Sequence, residues 1–221
     1  MGFSIAGLAF KTQKEITPAN YIARLTGMEP VTVTGDSEFD TRDAGSFRVE
    51  TDGETVLIIN ADLALNTFRS SSEQLQQIYH ALDMPEEIIA FAVLESGGTY
   101  GYAILHQGVL VRARLQESGD FPPSIETGIP PAIEQAWLDC PFYLLYDGEE
   151  ADDDLVMDED ELDEVEIEKV YYKGDREEEL LECQLTEKVV EELFEDRFGF
   201  TPWNTSELEE VFEFKLPAAT H

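Results

Sequence analysis

From Glu149 to Glu168 the chain carries thirteen acidic side chains and not one basic one. A buried carboxylate without a partner is strongly disfavoured, so the core of this protein has to come from the residues on either side of that run. Runs of like charge favour a solvated segment, and Glu149 to Glu161 reads as an acidic loop. In Val165-Glu-Ile-Glu-Lys-Val-Tyr-Tyr172 polar and apolar residues alternate instead. That spacing predicts an edge strand, which Lys173-Gly174-Asp175 can turn back on itself.

The acidity is general but uneven. Of the 221 residues, 48 are acidic and 14 basic, a formal net charge of -34 at pH 7. Residues 1 to 120 hold 17 acids and 8 bases, whereas 121 to 221 hold 31 acids and 6 bases. Adaptation to a salty cytoplasm would spread acids over every exposed surface, so the asymmetry points to a use for the second half. Phosphate backbones need Lys and Arg to neutralise them, and no basic patch interrupts the chain; nucleic acid and anionic membranes are poor partners. No apolar run approaches the ~20 residues that span a bilayer. The apolar stretch Phe3 to Phe10 precedes its lysines rather than following them, the wrong order for a secretory signal, and Ala6 stands where a myristoylation motif wants Ser or Thr. The expected location is the cytoplasm.

An apolar content of 43% suffices for a sizeable core. Ser4 to Phe10 reads as a buried strand, and Thr17, Pro18 and Gly27 mark the cap, first turn and end of a helix. Phe47 to Ile59 reads as a hairpin about Asp52-Gly53. Ser71 or Ser72 caps a helix with Leu75, Ile78, Tyr79 and Leu82 on one face. Ile88 to Leu94 is a core strand, and Tyr100 to Leu115 a hairpin about Gln107-Gly108. A short helix carrying Ile133 and Trp137 precedes a strand from Phe142 to Tyr146. Thr186 is expected to cap a helix with Val189, Val190, Leu193 and Phe194 along one stripe, ended by Gly199. Ser206-Glu-Leu-Glu209 has capping-box spacing, yet Val211 to Leu216 looks extended. The sum is an α+β fold, a mainly antiparallel sheet with a few helices packed on one face. Residues 1–148 form the core domain, and 149–221 an acidic C-terminal segment (loop, hairpin and helix) packed on the same domain.

No catalytic constellation emerges, and the reading leans away from an enzyme. An EF-hand register started at Asp158 puts Leu162 at position 5, Asp163 where glycine is required and Lys169 where a bidentate Glu belongs, and one started at Asp152 does no better. His80, His106 and His221 lack metal-ligand spacing, and Cys140 and Cys183 form no CxxC motif. Glu95-Ser-Gly-Gly-Thr-Tyr-Gly101 runs into a strand rather than a helix, which makes it a turn and not a phosphate loop. No catalytic residue, metal ligand or cofactor site is assigned, and no cofactor is expected.

The segment Gly101-Tyr-Ala-Ile-Leu-His-Gln-Gly-Val-Leu-Val-Arg-Ala-Arg114, with Ile125-Glu-Thr-Gly-Ile-Pro-Pro-Ala-Ile-Glu134 after it, resembles uncharacterised bacterial protein families with a domain of unknown function. The resemblance covers about 35 residues. It implies a bacterial source and carries no functional residue with it.

What is left is binding. The expected partner is a basic protein docked by the acidic half, with Asp152, Asp153, Asp154, Asp158, Glu159, Asp160, Glu161, Asp163 and Glu164 as candidate partner-binding residues. An immunity-type neutraliser is one concrete form. The alternatives are a divalent-dependent hydrolase whose carboxylates converge from distant parts of the chain, and an orphan acidic domain without a specific partner.

Overall fold

Strands whose side chains are apolar on both faces need cover on both, and that requirement organises this molecule. The computed structural model describes residues 4–14, 17–34, 39–52, 54–117, 123–146, 149–150, 167–204, 208 and 210–217. Its centre is a nine-stranded antiparallel sheet in the order β2-β13-β3-β4-β1-β5-β6-β7-β8. The first half of the chain supplies β1 (Ser4–Lys11), β2 (Val31–Thr32), β3 (Ser46–Asp52), β4 (Thr55–Ile59), β5 (Glu87–Leu94) and β6 (Thr99–His106), and then β7 (Val109–Gln116). β8 (Ile125–Gly128) forms one edge, and β13 (Glu210–Lys215) lies between β2 and β3. A smaller sheet takes the order β10-β9-β11-β12, from β9 (Phe142–Tyr146), β10 (Glu149–Glu150), β11 (Ile167–Lys173) and β12 (Glu178–Leu181). The protein is α+β.

The period of two along each strand divides the core into two layers. Ala6, Leu8 and Phe10 of β1 and Ile88, Ala90 and Ala92 of β5 face one side. There they meet α1 (Pro18–Thr26), α2 (Ala61–Phe68) and α3 (Ser72–Ala81) through Ile22, Ala64, Phe68 and Leu75. Ile5, Ala9, Ile89, Phe91 and Val93 face the other. A few helices thus pack on one face, and a second layer covers the opposite face: α4 (Ala132–Leu138), α5 (Glu182–Phe198) and the small sheet. Burying an aliphatic or aromatic side chain contributes about 2 kcal/mol, so Leu185, Val189, Val190, Leu193 and Phe194, each at most 1% exposed, hold α5 firmly against the sheet.

Local signals act as expected at several points. Gly27 ends α1 and Gly199 ends α5, both left-handed at φ 71° and 85°. Ser71 and Gln74 form a capping box at α3. Four expectations are corrected. Thr17 precedes α1, but its side chain makes no capping hydrogen bond. β11 is no edge strand, because β12 pairs with it on one side and β9 on the other. Thr186 caps nothing: α5 starts at Glu182, four residues earlier, and the Thr186 side chain is buried against the sheet. Of the expected acidic loop from Glu149 to Glu161, Glu149–Glu150 are instead strand β10, paired with β9. The rest of it, the candidate binding residues from 152 to 164, and the Ser206–Glu209 box apart from Leu208 lie outside the described residues. Among those described, no helix is long and apolar enough to cross a membrane.

Candidate functional site

Two groups of carboxylates sit on the second face of the sheet. The first is a buried ionic network. β7 places Arg112 and Arg114 on that face, 2% and 0% exposed. Arg112 grips Glu134 of α4 with two prongs, Nε donating to Oε2 at 2.9 Å and Nη2 to Oε1, and Nη2 also donates to Glu126 Oε1 at 2.8 Å. Arg114 Nη1 donates to Glu126 Oε1 at 3.1 Å, Nε to Thr186 Oγ1 at 3.0 Å, and Nη2 to Glu182 at the start of α5. The Tyr102 hydroxyl donates to Glu134.

Burial works against the Arg112 charge, but the hydrogen bonds to Glu134 and Glu126 outweigh it and raise its pKa. Burial also pushes Glu126 up, yet Arg112 and Arg114 hold its carboxyl below the ordinary value. For Tyr102, burial and then Glu134 raise the hydroxyl far above its usual range. At ~3 Å and an effective dielectric near 20 each close ion pair is worth about 5 kcal/mol, which offsets desolvation of several kcal/mol per ion only because both partners are present. This network clamps α4, α5 and β8 to the sheet.

The second group is open. Around the turn after β5 and along α5, Glu95, Glu187 and Glu191 line a cleft of about 600 Å³ whose other walls include Val93, Leu180 and Trp203. Among the described lining residues Lys188 is the one cation, and it is already shared: its Nζ lies 3.0 Å from Glu191 and 3.6 Å from Glu192. Burial, then the charges of Glu95 and Glu191, hold the Glu187 carboxyl above its ordinary value. Burial followed by Glu187 and Glu95 likewise raises the nearby Tyr100 hydroxyl. A carboxyl held up by burial and by its neighbours' negative charge marks a site that favours a cation, and an aromatic wall adds a face on which one can rest.

Sequence reasoning singled out the run from 152 to 164 and missed this cleft. Its lining comes from a strand end, a turn, a helix and a segment over 100 residues further on, with no local motif linking them. His80 and His106 are exposed, as expected from their positions, and Cys140 and Cys183 are free, partly buried thiols. Among the described residues no three His, Cys, Asp or Glu side chains group so as to hold a metal ion. Comparison with protein-family models, curated proteins and solved structures finds no match.

Proposed function

We propose that this chain is a binding protein whose acidic surface captures a basic protein partner, an immunity-type neutraliser being one form of such a role. The observation that carries the reading is the cleft walled by Trp203, where Glu95, Glu187 and Glu191 outnumber the one lysine. A net charge of -34 adds long-range attraction for a basic partner and repels nucleic acid and anionic membranes. A cytoplasmic setting suits two free thiols. Steering by unlike charge speeds capture and weakens with salt.

The test is to titrate the full chain with a Lys- and Arg-rich peptide at low and high salt, beside a Glu187→Lys/Glu191→Lys variant checked for folding by circular dichroism. Binding should fall steeply with salt and by about tenfold or more in the variant. Binding indifferent to both would sink the reading. Affinity capture from the source cell, with mass spectrometry of what salt releases, would then name the partner.

A hydrolase would use the same cleft, because a carboxyl held above its ordinary value suits a proton donor. The discriminating result is turnover lost in Glu187→Gln while binding persists.

A further inference from the structure

Trp203 also lines a smaller cavity of about 260 Å³, together with Thr41, Arg48, Glu50 and Phe39 among others. Glu50 is on β3 opposite Leu57, 4% exposed, with its side chain on the second face. Its Oε2 has no hydrogen-bond partner, and its Oε1 stands 3.8 Å from Arg48 Nη1, beyond hydrogen-bond reach. Thr41 is 5% exposed and its hydroxyl also lacks a partner. Two buried side-chain polar atoms without a partner, Glu50 Oε2 and Thr41 Oγ1, therefore line this one cavity.

Arg48 faces Glu50 as an ion pair at 3.8 Å, but no arginine among the described residues donates a hydrogen bond to it. Arg48 Nε and Nη2 donate to Glu213 Oε1 at 3.1 and 2.7 Å, and its guanidinium lies 4.6 Å over the Phe39 ring. Arg42 reaches the rim, where Nη2 donates to Ser4 and Ser96. A buried carboxylate oxygen without a donor is costly, and folded proteins rarely leave one. An anion would meet that carboxylate, and an apolar ligand would leave both polar atoms unsatisfied. An N–H donor of positive charge satisfies Glu50 and Thr41 together, under the cover of Trp203.

We infer that this cavity takes the head group of an organic cation, an ammonium or guanidinium, with Glu50 as counter-ion and Thr41 as second acceptor. Its size admits one side-chain-sized group. The cation can be a free small amine or the Lys or Arg side chain of a basic partner, and in the second case the inference rests on the binding reading and names its anchor.

The experiment titrates the full chain with methylguanidinium and, separately, with methylurea, which has a similar shape and no charge. Amide and indole NMR shifts of Thr41, Glu50 and Trp203 are followed, and the series is repeated in Glu50→Gln and Glu187→Gln. Methylguanidinium should give saturable shifts at all three residues and bind at least about tenfold more tightly than methylurea, the worth of one charge-assisted hydrogen bond. Glu50→Gln should remove that preference and Glu187→Gln should keep it. Equal binding of the two probes in the wild-type protein overturns the inference with no variant needed, and so does a crystal soaked in methylguanidinium that shows ordered water alone on Glu50 and Thr41. A basic peptide whose affinity ignores Glu50→Gln but collapses on charge reversal at Glu187 and Glu191 sinks the cavity and spares the surface. Binding of methylguanidinium without binding of any basic peptide supports the cavity, assigns it a free amine, and removes the protein partner.

Discussion

Two sets of glutamates on one face of one sheet have opposite fates. Glu126, Glu134 and Glu182 meet Arg112 and Arg114 at hydrogen-bond distance, whereas Glu95, Glu187 and Glu191 crowd a cleft with one shared lysine. The first set is tied into holding α4, α5 and β8 in place. The second set adds repulsion that the fold tolerates, and a tolerated cost on a concave surface is where a ligand can make the difference. In a chain this acidic, the number of carboxylates says little; how much positive charge each group of them meets says more.

The comparison breaks most readily at Glu134. Glu134→Gln leaves two buried arginines short of counter-charge and should lower stability by about 3–5 kcal/mol in urea denaturation. Arg112→Met combined with Glu134→Leu should recover most of it. A single-variant loss under about 1 kcal/mol would mean that the network is not what clamps the second layer. Glu126 sharpens the point through pH. Its carboxyl is held below the ordinary 4.5, so its contribution is fully present above 4.5 and is lost as pH falls through the depressed value. Glu126→Gln should therefore cost about 1 kcal/mol at neutral pH, discounted because its side chain is 40% exposed, and nothing in strong acid. Glu187 has the opposite sign. Its carboxyl is held above 4.5, so its contribution is present below 4.5 and lost as pH rises through the raised value. Glu187→Gln should leave acid stability unchanged and raise neutral stability by about 0.5 kcal/mol. Thermal melts of the three variants across pH would separate the two sets, and a Glu187 profile that parallels that of Glu126 would erase the distinction.

Much of the architecture was legible because its signals are local. Ser71 with Gln74, Gly27, Gly199 and the apolar run from Ile88 to Leu94 each act within a few residues. α2 escaped notice although its signal was present: Asn60 Oδ1 accepts from Leu63 N at 2.8 Å, a side-chain cap. Arg112 and Arg114 alternate with Ala113 and Leu115, a pattern that ordinarily marks a solvated face. Here Glu134 and Glu182 arrive from 22 and 68 residues away and make burial affordable, and nothing local announces them. Thr186 misled for the same reason, since its hydroxyl serves Arg114 across 72 residues rather than the backbone of its own helix. The cleft and the Glu50 cavity both depend on Trp203, a residue remote in sequence from the strands beside it.

The insertion of β13 between β2 and β3 also sets a clock. Arg48 on β3 and Glu213 on β13 are bonded across 165 positions of sequence, so β3 emerges from the ribosome long before the strand that completes its edge. At about 5–20 residues per second that interval is on the order of ten to thirty seconds. Through it, β3 presents an unsatisfied backbone edge of the kind that recruits other chains. The nascent protein's exposure to aggregation, and its need for chaperones, should therefore be governed by how quickly residues 210 to 215 arrive rather than by how well the first half folds.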